Sequence, residues 1–304
     1  MAAGGGTKAI IAAFLANAGI AVAKFVGFLL TSSASMLAES IHSVADAGNQ
    51  LLLLLGGRRA QKTATPDHPF GYGRERYFWA FIVALVLFSL GSLFAIFEGI
   101  EKIRHPHEVE SLGIAIGILV FAMILEAWSF RTAIIEANHA RGKTSIRHWI
   151  RRSKAPELPV VVLEDAGAMI GLVIALTAIV LAKVTGNATW DGIGTLIIGV
   201  LLGIIAIVLA VEMKSLLIGE GASTDDLRAI ETAINSSPDV ERIIHIRTEH
   251  IGPEELLVGT KVQFRNDMNL ETLAAAIDDV ERRVRDVVPI ARIFYIEPDV
   301  YRGA

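Results

Sequence analysis

Six apolar runs, each long enough to cross a hydrocarbon layer of about 30 Å as a helix, occupy most of the first 218 residues. They cover approximately Ala9 to Leu30, Ala34 to Gly56, Tyr77 to Ile100, Leu112 to Ile135, Pro159 to Leu181 and Ile193 to Leu217. A backbone in lipid must satisfy its own hydrogen bonds, so runs of this length predict transmembrane helices. An even number puts both termini on one side. The connection 57–76 carries Arg58, Arg59, Lys62, Arg74 and Arg76, and the connection 140–155 is equally basic, whereas the alternate connections hold only Lys102, Arg104 and Lys183. The excess of basic residues predicts that both termini face the cytoplasm. Trp79, Trp149 and Trp190 fall near run ends, as interfacial anchors do. The start, MAAGGGTKAII, leads into the first run without a cleavage-like site and reads as a retained span. A hydrophobic content of 53% agrees with a membrane protein, and the absence of cysteine leaves His, Asp and Glu as the residues able to bind a metal.

Past Leu217 the pattern changes. Residues 219–304 hold 10 Lys and Arg against 17 Asp and Glu, a net of −7, while the first 218 hold 18 and 15, a net of +3. The sequence therefore divides into a transmembrane domain, 1–218, and a solvated acidic domain, 219–304. Ser223 with Asp226 reads as the N-cap and capping acid of a helix whose Leu227, Ile230 and Ile234 share one face. Two β-rich runs follow, Val240 to Glu249 and Leu256 to Phe264, joined through Gly252-Pro253. In the second, Leu256, Val258, Thr260, Val262 and Phe264 alternate with more polar positions, the mark of a half-buried strand. A helix from Leu270 to Val287 and a third strand from Ile290 to Ile296 complete the order α-β-β-α-β. That order predicts an antiparallel sheet with both helices on one face.

The second apolar run differs from the others. Its segment 33–55, SASMLAESIHSVADAGNQLLLLL, carries Glu39, His42 and Asp46, which a helix places on one face. A charged group at membrane depth is costly unless it meets a partner, water or an ion. Metal binding is the simplest explanation, because imidazole and carboxylate are ordinary zinc ligands and one helical turn can supply both. At about 1.5 Å per residue, Glu39 lies about 7 Å, His42 about 12 Å and Asp46 about 18 Å from the outer start of that run. Glu164 and Asp165 lie about 8 to 9 Å from the cytoplasmic start of the fifth. If these two helices pack together, His42, Asp46 and Asp165 can share one divalent ion. Lys24 and Glu39, near one depth, read as a structural salt bridge or part of a proton relay. Asn17, near the level of Asp46, reads as an interhelical hydrogen bond or a group that orients a ligand.

Together these residues carry a resemblance. Asn17 with Lys24, then SSASMLAESIHSVAD, then DHPFGYGRER, then a carboxylate in the fifth run and an α-β-β-α-β tail resemble the cation diffusion facilitator family of divalent-metal/proton antiporters. The resemblance covers essentially the whole chain. It implies an all-α six-helix transmembrane domain with a small ferredoxin-like cytoplasmic α/β domain, assembled as a homodimer. It also implies a metal site with two residues from the second span and two from the fifth. His42 and Asp46 match the first pair, and Asp165 matches the later member of the second. The earlier member falls on Val161, which cannot ligate. Glu164 is the nearest substitute, Glu126 in the fourth span is a second candidate at similar depth, and water could also fill the place. The sequence VLEDAGA resembles the branch related to the mitochondrial and nuclear-associated zinc transporters. As secondary metal positions the loop offers Asp67 and His68, and the tail offers His245 with Glu297 near a further position. The loop reads better as a turn shaped by Pro69, Gly71 and Gly73, and His245 as an ordinary strand residue.

The implied function is export of a divalent cation, Zn²⁺ ahead of Mn²⁺, Co²⁺ or Fe²⁺, from the cytoplasm in exchange for protons by alternating access. It is not an enzyme's function, and it calls for no organic cofactor and no nucleic acid. Metal must displace a proton from His42 when that imidazole is charged, which couples the two fluxes. Arg74 is placed to pair with Glu220 and hold the dimer together. The basic segment RGKTSIRHWIRRSK, with Trp149 and Ile150 embedded, reads as an interfacial stretch against anionic lipid. The expected setting is a multi-pass protein of a bacterial inner membrane or an organelle membrane. Two other readings compete: an intramembrane metallohydrolase, for which no zinc-protease helix motif is present, and a non-transporting membrane scaffold or co-regulator acting through its acidic tail.

Overall fold

A computed structural model describes residues 3–31, 34–106 and 112–303, with the side chains of 3–5, 30–31, 34–39, 41–42 and 112 outside that description. The chain divides into two compact units, residues 1–59 with 75–214 and residues 60–74 with 215–304.

The first unit is helical. It contains α1 (Ala3–Thr31), α2 (Ala34–Ala60), α3 (Glu75–Val86), a π-helical stretch (Leu87–Leu93) running directly into α4 (Phe94–Arg104), α5 (Leu112–Arg141), the short α6 (Ile146–Arg152), α7 (Glu157–Thr185) and α8 (Thr189–Ile218). Five helices among the described residues are long and apolar enough to cross a membrane: 6–29, 75–104, 113–141, 157–185 and 189–218. The sixth long helix, α2, carries the polar stripe and is less apolar than the rest. Large apolar side chains such as Leu15, Leu29, Phe97, Ile124, Val184 and Val211 are exposed, as lipid-facing positions are. The helices outrun the apolar runs at several ends, where α2 takes in Arg58 and Arg59, α3 begins on Glu75 and α7 on Glu157. Pro159 sits in the first turn of α7, where its missing N–H is not needed, and Gly186 closes that helix in the left-handed conformation with φ +65°. Close backbone approach sets α4 against α8. A Cβ on Gly99 would lie 2.6 Å from the Leu196 nitrogen, so only glycine fits there.

The second unit contains α9 (Thr224–Asn235), β1 (Val240–Gly252), β2 (Glu255–Phe264), α10 (Leu270–Val287) and β3 (Ile293–Pro298). Ser223 caps α9 by accepting from the Asp226 N–H, and Asn269 caps α10 by accepting from the Thr272 N–H. Leu256, Val258, Val262 and Phe264 of β2 pack against Ile230 and Ile234 of α9 and Val280 and Val284 of α10, forming one apolar core. The sheet order is β1-β2-β3. β1 pairs with β2 antiparallel, but β2 pairs with β3 parallel. This corrects the expected antiparallel sheet. The helix α10 carries the chain back along the sheet between β2 and β3, and a crossover of that kind joins parallel strands.

The segment 60–74 belongs to this second unit, so a single boundary at 218 misses it. Thr65 and His68 exchange backbone hydrogen bonds at 3.2 and 3.0 Å, and the Gly71 N–H bonds the His68 carbonyl at 3.0 Å. Gly73 lies against Ile251 and Gly252 of β1 so closely that a Cβ would come within 2.9 Å of the Ile251 carbonyl oxygen.

Candidate metal centre

Adjacent residues on α7 face different helices, since neighbours on a helix diverge by about 100°. Asp165, 1% exposed, turns to α5, where the Ser129 hydroxyl donates to its Oδ2 at 2.7 Å. Its Oδ1 is buried without a hydrogen-bond partner among the described residues. Glu164, 7% exposed, turns to α2 and accepts from Asn49 Nδ2 at 3.2 Å and from Gln50 Nε2 at 2.8 Å. Those carboxamides tie α7 to α2 within one turn of Asp46. Nearer the start of α7, Glu157 accepts two hydrogen bonds from the Arg76 guanidinium, the Nη2–Oε2 distance being 2.8 Å, and so fixes α3 to α7.

A cavity of about 260 Å³ opens beside these residues. Asp46 and Ser43 of α2, Glu126 of α5, Glu164 of α7 and Asn17 and Lys24 of α1 contribute to its wall. Glu126 lies within charge-charge range of Asp46, Glu164, Asp165 and Lys24. Elsewhere the lining includes Glu98, Lys102 and Asp191, where the Lys102 ammonium sits 3.3 Å from Glu98 Oε1 and 3.1 Å from Asp191 Oδ2, tying α4 to α8. The concentration of carboxylates around a buried space is suited to a cation. Among the described residues no three His, Asp or Glu side chains stand close enough together to grip one ion.

The expected residues fall as follows. Asp46, Glu126, Glu164 and Asp165 converge on one region of the helical unit. His42 and Glu39 lie on α2, but their side chains are outside the described residues, so the expected Lys24–Glu39 pair and the His42 contact are outside them as well. Asn17 is buried in the cavity wall and Val161 is fully buried. Asp67 and His68 are exposed in the 60–74 turn, the His68 ring resting 4.5 Å from that of Tyr72. His245 is exposed on β1 opposite Lys261, which pairs with Glu297 at 2.8 Å. Hydrogen bonds to Glu297 and Asp299 raise the Lys261 ammonium above its ordinary value. The ion pair recorded for Arg74 is with Glu249 of β1, whereas the Glu220 carbonyl accepts the His250 N–H at 2.8 Å.

Asn49, Gln50, Ser129 and the Arg76–Glu157 pair were not anticipated. A signal for two of them was present, since Asn49 continues the stripe of His42 and Asp46 on α2 and Ser129 lies one turn from Glu126 on α5.

The sequence profile of the cation efflux transmembrane domain matches residues 10–218. The chain is similar to the mitochondrial proton-coupled zinc antiporter SLC30A9 of Xenopus laevis, with 31% identity over 284 residues, covering 92% of this chain and 50% of that protein. Metal tolerance protein C4 of Arabidopsis thaliana is 30% identical over 263 residues, covering 86% of this chain and 58% of that protein. Magnetosome protein MamB of Magnetospirillum gryphiswaldense is 25% identical over 282 residues, or 92% of this chain and 89% of that one. The chain spans about half the length of the SLC30A9 relatives it matches.

Proposed function

The chain belongs to the cation efflux family, whose members are membrane transporters and not enzymes, and from that premise we propose that it exchanges a divalent metal cation for protons across a membrane. The single observation that carries this reading is the cavity walled by Asp46, Glu126 and Glu164, with Asp165 buried close by and one of its oxygens unpartnered. Zinc is the first candidate cargo, supported by the imidazole of His42 on the same helix as Asp46 and by the zinc antiporters among the relatives. Mn²⁺, Co²⁺ and Fe²⁺ follow.

In this reading α1, α2, the continuous helix 75–104, α5, α7 and α8 are six spans, both termini lie in the cytoplasm, and the second unit is a ferredoxin-like cytoplasmic domain of a homodimer. His42, Asp46 and Asp165 bind the metal. Capture of the ion displaces protons from these groups, and their return from the far side expels it. The helices rock around the site to expose it alternately. Asn49 and Gln50 hold Glu164 against α2, and Ser129 aims Asp165.

The test is flux in liposomes carrying the purified protein, followed with metal and pH indicators for Zn²⁺ and Mn²⁺. Metal movement with opposite proton movement, lost in Asp46→Ala and Asp165→Ala, is the expected outcome. No flux for any divalent metal would sink the proposal and favour a membrane scaffold working through the acidic tail.

A further inference from the structure

Four carboxylates meet in the helical unit, Asp46, Glu126, Glu164 and Asp165, each within range of the others' charge through Glu126. Their surroundings differ. Asp165 accepts from Ser129, Glu164 accepts from both Asn49 and Gln50, and Asp46 is also engaged. Glu126 is 2% exposed, lines the cavity that Asp46 and Glu164 also line, and has no hydrogen bond or ion pair among the described residues. A charged carboxylate buried without donors is strongly disfavoured, and the same group becomes favourable once a cation occupies the space in front of it. Ser129 lies three residues beyond Glu126, so the two share a face of α5, and Ser129 is the residue that touches Asp165. Glu126 and Asp165 therefore lie on neighbouring helices within range of each other's charge, Glu126 in the cavity wall and Asp165 buried beside it.

We propose that Glu126 is a direct ligand of the transported cation, completing a donor set with Asp46 and Asp165 from three helices, while Glu164 serves as a brace between α7 and α2. The assignment rests on the metal-transport reading above. Capture of the ion draws α5 toward α2 and α7, since the described carboxylates are not yet close enough to grip an ion together. A third carboxylate also makes the set rich in hard oxygen donors, so it favours Mn²⁺ relative to Zn²⁺ more than the same centre without Glu126.

The test is calorimetric titration of the purified full-length protein in detergent with Zn²⁺ and with Mn²⁺, for wild type, Asp46→Ala, Glu126→Gln and Glu126→His. Elution profile and apo melting temperature check folding. Asp46→Ala is expected to abolish binding. Glu126→Gln is expected to weaken it about 100-fold, more for Mn²⁺ than for Zn²⁺, without lowering the apo melting temperature. Glu126→His is expected to move the affinity ratio toward Zn²⁺ by about tenfold, a change that a purely structural residue would not produce. A loss below about tenfold in Glu126→Gln, beside a dead Asp46→Ala, overturns the assignment and leaves the transport reading standing. If Glu126→Gln does not fold, an unchanged Zn²⁺/Mn²⁺ ratio in Glu126→His overturns it. A wild type that binds neither metal overturns both.

Discussion

The Ser129 hydroxyl donates to Oδ2 of Asp165 at 2.7 Å and leaves Oδ1 without a partner among the described residues. One oxygen is held and the other is available, which orients a carboxylate for a metal ion. Ser129→Ala is expected to weaken divalent-metal binding by about tenfold or more, with the fold intact, and Ser129→Thr to keep most of it. Calorimetry on the three proteins checks this, and an unchanged affinity in Ser129→Ala would remove Ser129 from the centre.

Glu164 tests a different property, the joining of α2 to α7. Leaving a buried polar group without its hydrogen-bond partner costs about 1 to 3 kcal/mol, so Gln50→Leu is expected to destabilise the protein by about 2 kcal/mol. Adding Glu164→Leu to Gln50→Leu should restore much of that loss, because no buried carboxylate is then left short of a donor. Thermal unfolding in detergent micelles reads both effects, and additive losses in the double variant would count against the brace.

Two arginine pairs close together in sequence should behave differently. Glu157 is buried and takes a bidentate grip from Arg76, so Arg76→Ala strands a charge and is expected to cost about 3 kcal/mol. Arg74 and Glu249 are 44% and 41% exposed, so Arg74→Ala is expected to cost less than about 1 kcal/mol. The same melting experiment separates them, and equal losses would mean that exposure is not what distinguishes the pairs.

In the second unit, hydrogen bonds from Arg283, and then from Arg282, hold the Asp279 carboxyl below the ordinary carboxylate range. A carboxylate depressed in the folded state contributes stability above its unfolded value of about 3.9, and the contribution is lost as pH falls through the lower folded value. Asp279→Asn should therefore lower stability at neutral pH and flatten the acid side of the profile, the two proteins converging as pH falls below about 4. Unfolding followed across pH 2 to 7, a range of about five units, shows whether the two profiles stand apart at neutral pH and merge at the acid end.

Much of this architecture could be read from local pattern. The apolar stripe of α10 marked Leu270 to Val287, and the alternation from Leu256 to Phe264 gave the buried face of β2. Strand direction was harder to read, because β3 looks the same in either orientation until α10 is treated as its crossover. Within the helices, Asp46 and Asp165 stood out because an acid in an apolar run demands a reason. Asn49, Gln50 and Ser129 raised no such demand. A carboxamide or hydroxyl at membrane depth can bond its own helix or any neighbour, so its partner is fixed only by how the helices pack. That packing also shows that adjacent Glu164 and Asp165 have separate surroundings, one facing α2 and the other α5.

The π-helical stretch Leu87–Leu93 makes 75–104 two helices spliced out of phase. A π turn takes up one residue more than an α turn, and each residue rotates a helix by about 100°. Deleting one residue there would let the stretch relax to a regular α-helix while Arg76 stays on Glu157 and the face of α4 that bears Glu98 and Lys102 stays on Asp191 and the cavity. The extra residue at Leu87–Leu93 is thus slack that keeps Arg76 and Lys102 each on its own partner, and a one-codon deletion there would leave the charge pattern of this half of the cavity in place.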